Sequence, residues 1–488
     1  MAQDENSETD VAEWWLPQSE DSKTPGTYTV LKTGNALACL HRSMQGHEAD
    51  FFSDLVDYPL IHGEVFGKSV TLLNARVGKG RMGSSSQVDI ELRPWLAIEG
   101  LLLDEDELSV TEAKVRIQRQ DEWVQPETFT AHKDSRNFLT GVSIRNFPER
   151  LASIENGLVG VCDFSSSRWN SAELSIASKS GFHFCFETPV SLKSFFAEHL
   201  RGLQVLMTLV TGTRCGIESL KFTNETWLVN GVAPAAPPWV DVRVRAPEVK
   251  KSKRGDLLFP FRALDWESQA PHIFDLSLAW MYAIEQWALL LDDRFVWPVA
   301  RFSTAASAVE ALDRILNPDE TYEADAELIA RVVEALKDTS LSGKDRKKVK
   351  SGLERPREVS LEQRIRRLAL CSPQAMSEIV DDPQWAARVA RLRHVVSHGL
   401  QTSEKLSKDV RSVECGSEIL LYLLECVFLF HLGFDGERIK EMKRRHPHTG
   451  WRRSVVDECM SLLPQLGGQR VTDRAQAARD EPSAGATS

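Results

Sequence analysis

The segment Arg388 to Leu400, RVARLRHVVSHGL, concentrates three guanidiniums and two imidazoles within one helix length. Val389, Leu392 and Val396 recur at helical spacing and must face a core, with Gly399 as the helix stop. Arg391, His394 and His398 then fall on the opposite, polar face, with Arg393 at its flank. An imidazole titrating near pH ~6.5 can take the proton from a ribose 2′-hydroxyl or give one to a departing 5′-oxygen. A guanidinium beside it can grip the phosphate and its developing charge through paired N–H donors. The chemistry within reach is RNA cleavage without metal, leaving a 2′,3′-cyclic phosphate and a 5′-hydroxyl. Taken alone, the same residues also suit a solvated helix face with two ordinary histidines. His394 and His398 stand four apart, the spacing for a shared metal, yet no Glu follows His394 and no third ligand is signalled. No metal and no cofactor is expected.

The elements that must position this segment can be read from the rest of the 488 residues. At 42% apolar and 26% charged the chain can build two to four domains. Eight separate cysteines without a C-x-x-C pair point to a reducing compartment. With no basic-then-apolar leader and no uncharged run of ~18 residues, the expectation is a soluble, cytoplasmic protein that does not enter membranes. Residues 1–26, with seven acidic side chains and one lysine in their first 25, predict a disordered acidic tail, and 467–488 a second one. Residues 27–245 predict a β-rich, sandwich-like domain from the runs TYTVL, SVTLLNARV, VDIEL, LAIEGLLL, LSVTEAKVRI, GFHFCFETP and WVDVRVRAP. A helix over 190–210 interrupts them. A Pro-rich stretch followed by KKSKRG predicts a linker over 246–262. Beyond it, 263–466 predict an all-α bundle of five or six helices, at 273–291, 303–316, 325–337, 360–371, 384–399 and 416–432.

Three motifs carry less than their patterns promise. Gly78, Gly80 and Gly83 spell G-x-G-x-x-G, but a turn and a strand follow where a phosphate-binding helix is needed. Gly63 with Gly67-Lys68-Ser69 falls one residue short of a P-loop and reads as a hairpin. Asn224-Glu225-Thr226 is a glycosylation sequon without a secretory route.

With 59 basic against 70 acidic residues, net −11, any nucleic-acid surface has to be local. Residues 341–368 hold ten Lys/Arg against four Asp/Glu, and 436–453 hold seven against two. Lys344, Lys347, Lys348 and Lys350 in the first run, with Arg444 and Arg445 in the second, are the candidate phosphate contacts, a solvated face being the equal alternative. Single-stranded RNA loops are the expected target, because in-line attack needs a backbone freed from A-form geometry.

Arg393-His394-Val395-Val396-Ser397-His398 resembles the R-x4-6-H signature of HEPN-domain ribonucleases, in which a polar residue follows the arginine. The FSTAASAVEALDRI segment upstream is similar to the family's "alE" helix, and the apolar helix Glu418 to Leu432 stands where one is expected downstream. Ile61-His62-Gly63-Glu64 with SVTLLN, then Asp121-Glu122-Trp123, then SLKSFFAEHLRGLQVLMTLVTG resemble the N-terminal domain of ApeA-type abortive-infection proteins, which precedes an ApeA-like HEPN domain in the same order. The resemblance covers roughly 28–450.

It implies Arg393 and His398 as the catalytic pair and His394 as the polar neighbour. Arg391 also lies within the permitted spacing and stays open as the essential arginine. Glu310 is a candidate orienting carboxylate, with a surface i,i+4 pair to Arg314 as the equal alternative. The resemblance further implies a homodimer formed through the HEPN domain, host tRNA and its anticodon loop as substrate, and an anti-phage role in which the front domain senses a phage trigger that the residues do not identify. A silent RNA- or nucleotide-binding module and a protein-interaction scaffold are the two readings from other classes.

Overall fold

The structure, a computed structural model, describes residues 8–31, 34–42, 44, 57–82, 88–125, 129–137, 139–144, 149–163, 166–169, 174–177, 179–229, 232–244, 257–291, 297–318, 326–339, 341–354, 359–397 and 403–463. The chain divides into two compact units, Met1–Met281 and Tyr282–Ser488.

In the first unit, β1 (Glu8–Trp15), β2 (Thr24–Val30), β3 (Ala36–Leu40), β4 (Asp57–Val65), β5 (Lys68–Met82) and β6 (Val88–Arg93) close an antiparallel barrel in the order β5-β4-β1-β2-β3-β6 and back to β5. Closure is possible because β5 runs for 15 residues: Lys68 to Arg76 pair with β4, and Arg76 to Met82 pair with β6. The barrel interior is filled by alternating inward residues, among them Trp14, Tyr28, Leu40, Tyr58, Ile61, Leu72 and Leu92.

From β5 the sheet continues outward. Its further strands are β7 (Leu96–Glu99), β8 (Ser109–Ile117), β11 (Arg150–Ile154), β12 (Gly157–Asp163), β15 (Ser180–Ser191), β16 (Ile217–Thr223) and β17 (Val240–Val244), ordered β7-β17-β16-β8-β15-β12-β11. Two hairpins, β9–β10 (Phe129–Lys133, Leu139–Ile144) and β13–β14 (Ser166–Trp169, Leu174–Ala177), form separate small sheets. The sandwich expected from strand spacing is thus realised as a barrel continuous with an open sheet. Strand β15 shows the rule that builds it: in GFHFCF, Phe182, Phe184 and Phe186 are buried while His183 and Cys185 take the other face. A short helix, α1 (Gln120–Val124), follows β8 and carries the buried Trp123. The helical run α2 (Leu192–Ser194), a π-helical turn Phe195–Leu200 and α3 (Arg201–Thr211) covers the phenylalanine face, Phe195 standing edge-on to Phe184 at 5.4 Å.

Of the segment read as a disordered tail over 1–26, residues 1–7 lie outside the described residues, and the rest supplies two barrel strands instead, β1 and the start of β2. Seven acidic side chains dominate the composition, but Ala12 and Trp14 alternate inward and bury fully, and burial of an indole outweighs the polar average. Trp14 also explains Gly63. The two residues face each other across β1 and β4, and a Cβ at Gly63 would fall 2.3 Å from the indole ring. The glycine of the near-P-loop therefore makes room for a tryptophan, and the turn at Phe66-Gly67 joins β4 to β5 as a hairpin. Gly78 and Gly80 lie within β5, Gly80 paired with Ile90 of β6 and Gly78 at the register shift between Val77 and Lys79, while Gly83 lies outside the described residues.

The single helix expected over 273–291 is two, α4 (Trp266–Ala279) and α5 (Met281–Leu290), with Trp280 between them. Helix α4 packs on β11 and α3, with Trp266 against Phe182 at 5.7 Å, so it belongs to the first unit, which extends beyond the expected boundary. Most of the expected linker, 245–256, and the tail over 467–488 lie outside the described residues.

The second unit is helical: α6 (Pro298–Leu316), α7 (Ala326–Lys337), α8 (Gly343–Glu354), α9 (Leu361–Ala369), α10 (Pro373–Met376), α11 (Trp385–Ser397), α12 (Ser403–His431), α13 (Gly436–Arg445) and α14 (Pro447–Cys459). Helix α12 is its axis, packing against α6, α9, α10, α11, α13 and α14. From Ser412 to Leu429 only Glu414 of α12 is exposed. Helices α8, α13 and α14 were hidden by their charge, since period counting sees apolar stripes. Local chemistry still starts them: the Asp435 carboxylate accepts from the Arg438 N–H, and Pro447 opens α14. Among the described residues, no helix is long and apolar enough to cross a membrane.

If Trp14 anchors the barrel, Trp14→Ala should lower the unfolding free energy by about 3–5 kcal/mol. Chemical denaturation followed by circular dichroism reads this directly. A loss under ~1 kcal/mol would mean that β1 is dispensable.

Candidate active site

Helix α11 exists because Trp385-Ala-Ala-Arg-Val-Ala-Arg-Leu repeats its apolar residues at helical spacing. Ala386, Val389 and Leu392 are buried against the bundle. Its neighbours are α6, α9 and α12. Close approach depends on Gly416 of α12, where a Cβ would meet Leu392 and Phe302 of α6, each at 2.8 Å. Three helices therefore converge at one point, and the polar flank of α11 emerges beside it.

On that flank the Arg393 Nη1 donates to Glu310 Oε1 of α6 at 2.5 Å. The pair spans 83 residues of sequence and is only partly open, with side-chain exposures of 34% and 21%. Of the two arrangements the sequence allows for Glu310, the interhelical one is present. A guanidinium carries five N–H donors in a planar fork, so one bond to Glu310 orients the group while donors remain to meet a phosphate. Arg391 and His394 are exposed on the same helix. His398 directly follows the last described residue of α11 and lies outside the described residues. The structure thus brings Arg393 and Glu310 together and sets Arg391 and His394 near them along α11.

One turn beyond Glu310, Asp313 of α6 is fully buried and accepts from Arg364 Nη1 at 2.8 Å and Arg367 Nη2 at 2.6 Å, both on α9. The basic run over 341–368 is corrected accordingly. In its EQRIRR half Arg364 and Arg367 are structural, while Arg366 is exposed and pairs with Glu362 within α9. Only the α8 half fits a phosphate surface: Lys344, Lys347, Lys348 and Lys350 are all exposed.

The second run divides in the same way. Lys443 is buried, paired with Glu425 and seated over the Tyr422 ring at 4.2 Å. Arg452 donates through Nη1 and Nη2 to Glu425 at 2.6 and 2.9 Å and through Nε to Glu418 at 2.9 Å. Arg301 of α6 completes the group at Glu418, 2.8 Å away. Burial alone would raise the Glu425 carboxyl, but Arg452 and Lys443 hold it well below the usual carboxylate range. Arg444 and Arg445 remain exposed at the end of α13, Arg445 paired with Glu441 at 2.5 Å.

Sequence reasoning missed Asp313, Arg364 and Arg367. A signal was available: an aspartate three residues after Glu310 in an otherwise apolar row, facing arginines three apart on α9, is the pattern of two helices joined by charge.

Residues 11–268 match the family ApeA N-terminal domain 1, and residues 303–438 match the family Apea-like HEPN. No curated protein and no solved structure matches the chain.

Asp313→Ala would leave Arg364 buried without its counter-charge, and should cost about 3–5 kcal/mol in chemical denaturation. Lys347→Glu, on an exposed face, should stay within about 0.5 kcal/mol of the parent. Equal effects at the two positions would overturn the division between structural and available cations.

Proposed function

Because the chain belongs to the ApeA N-terminal domain 1 family, which matches more than half of its length, and carries an Apea-like HEPN domain behind that match, we propose that it is an anti-phage abortive-infection effector whose helical unit cleaves RNA. The observation that carries this reading is the Glu310–Arg393 pair, which aims a partly open guanidinium from the arginine of the RHVVSH motif. Arg393 holds the scissile phosphate. His398 takes the 2′-hydroxyl proton or protonates the leaving 5′-oxygen. Glu310 touches neither and acts through Arg393 as a positioning residue. His394 keeps the polar slot after the arginine, and Arg391 adds positive charge on the exposed face. The exposed lysines of α8, with Arg444 and Arg445, hold phosphates away from the cut. No step calls for a metal. The substrate is a single-stranded RNA loop, with the host tRNA anticodon loop as the specific target, and pairing of two HEPN domains in a homodimer sets two RHVVSH motifs in one cleft.

Purified full-length protein incubated with total RNA in millimolar EDTA should leave 2′,3′-cyclic phosphate ends. His398→Ala and Arg393→Ala should each cost at least ~10²-fold in rate. Glu310→Gln should cost less while weakening substrate binding, because it loosens Arg393 without removing it. Binding without cleavage would reduce the HEPN unit to an RNA-binding module. Loss of activity in Arg391→Ala but not in Arg393→Ala would move the essential arginine, and dependence on added Mn²⁺ with 5′-phosphate products would sink the mechanism.

The front unit acts as restraint and sensor in this reading. A nuclease silent until infection needs a resting state favoured by a few kcal/mol. Residues 282–488 expressed alone should then arrest growth without phage, and His398→Ala should abolish the arrest. A folded but harmless fragment would assign the front unit to substrate binding instead.

A further inference from the structure

Strand alternation leaves an unusual set of side chains on the sheet face opposite the phenylalanines. His183 and Cys185 stand two apart on β15, and period-2 geometry puts both on that face. In the antiparallel register Glu112 of β8 is directly across from Cys185, and Lys114 is across from His183. The side chains converge: Glu112 Oε2 lies 2.8 Å and Cys185 Sγ 3.6 Å from His183 Nε2, and one ligand atom from each of the three lies within 4.8 Å of the others. Glu149, just before β11, lies against the neighbouring strand beside this cluster. It lays an Oε1 2.9 Å from where a Cβ of Gly160 would be, and Gly160 is the residue of β12 paired with His183. The bare glycine is what lets that carboxylate lie over the strand.

We infer that Glu112, His183 and Cys185 form a three-ligand Zn²⁺ site whose fourth position is left to water. Imidazole, thiolate and carboxylate are the ligand types zinc takes in tetrahedral geometry. Bond lengths of ~2.0–2.1 Å to nitrogen and ~2.3 Å to sulfur put a tetrahedral N···S pair roughly 3.5 Å apart, which is the spacing His183 and Cys185 already have. The 2.8 Å hydrogen bond between Glu112 and His183 must open by about half an ångström for a cation to enter there. Electrostatics favour the occupant. Glu112 and Glu149 place two carboxylates near the thiol, and a dication is attracted by both while favouring the thiolate form that it binds. Lys114, the one cation acting on Cys185, is held on the Trp239 ring at 4.1 Å. The site would tie β8 to β15. A second group, Cys39, His41 and Asp89, is more open, and its cysteine serves as the control.

The test uses the full-length protein stripped by chelator. Adding Zn²⁺ should slow alkylation of Cys185 by iodoacetamide at least ~10-fold, mapped by peptide mass spectrometry. About one equivalent of Co²⁺ should produce a thiolate-to-metal charge-transfer band that Cys185→Ser removes and Cys39→Ser keeps. His183→Asn should weaken binding at least ~10-fold. Unchanged alkylation of Cys185 with and without Zn²⁺ overturns the site, and the wild-type measurement does so whether or not the variants fold. A charge-transfer band lost only in Cys39→Ser places the metal in the barrel and overturns it equally.

Discussion

Helix α6 carries three charges that cannot be left unanswered, and each is answered from a different helix. Arg301 reaches Glu418 of α12, Glu310 reaches Arg393 of α11, and the fully buried Asp313 holds Arg364 and Arg367 of α9. Turning α6 by one residue rotates these side chains by about 100° and breaks all of the pairs together. Buried ion pairs of this kind add little net stability over apolar packing, yet strand a charge in every alternative arrangement. The orientation of α6 is thereby fixed, and with it the Glu310 carboxylate that aims Arg393. Gly416 supplies the matching constraint on distance, since α12 approaches Leu392 and Phe302 more closely than any side chain would permit.

The other end of α12 follows the same logic. Glu418 and Glu425 are seven residues, nearly two turns, apart, so they share a face of a helix that is otherwise apolar almost all round. Arg452 of α14 spans them, and Lys443 of α13 closes on Glu425. Two carboxylates thus gather the last two helices onto the axis of the bundle. Their partners, more than a turn's reach away along the chain, were counted as part of a basic surface.

What was legible in the sequence follows from which signals are local. Alternation in GFHFCF and in SVTLLNARV placed strands where they are, because a strand's burial pattern depends on its own residues. Helical spacing in FSTAASAVEALDRI put Glu310 on a flank of α6, and the motif put Arg393 on a flank of α11, so their meeting could be anticipated. Net charge over a window is not local in this sense. It cannot show that Arg364 ends on Asp313, 51 residues away, or that seven acids near the N-terminus flank an inward Trp14. Barrel closure was illegible for the same reason. It depends on β5 pairing with different strands along its length, and its sequence reads as one long strand either way.

These internal pairings change what the basic runs can do. In a chain of net −11, a phosphate farther than the ~8 Å Debye length at physiological salt feels little attraction from any one patch. With Arg364, Arg367, Lys443 and Arg452 committed to buried or half-buried carboxylates, the exposed lysines of α8 form the densest run of cations left at the surface among the described residues. In the proposed reading such a patch would act on RNA that comes within that distance of α8. Discrimination among RNAs would then fall to the geometry at Arg393. On the proposed chemistry, a strand held by α8 but stacked in A-form could not bring its 2′-hydroxyl in line, whereas a loop nucleotide could, so the same electrostatic hold would yield cleavage in one case and release in the other.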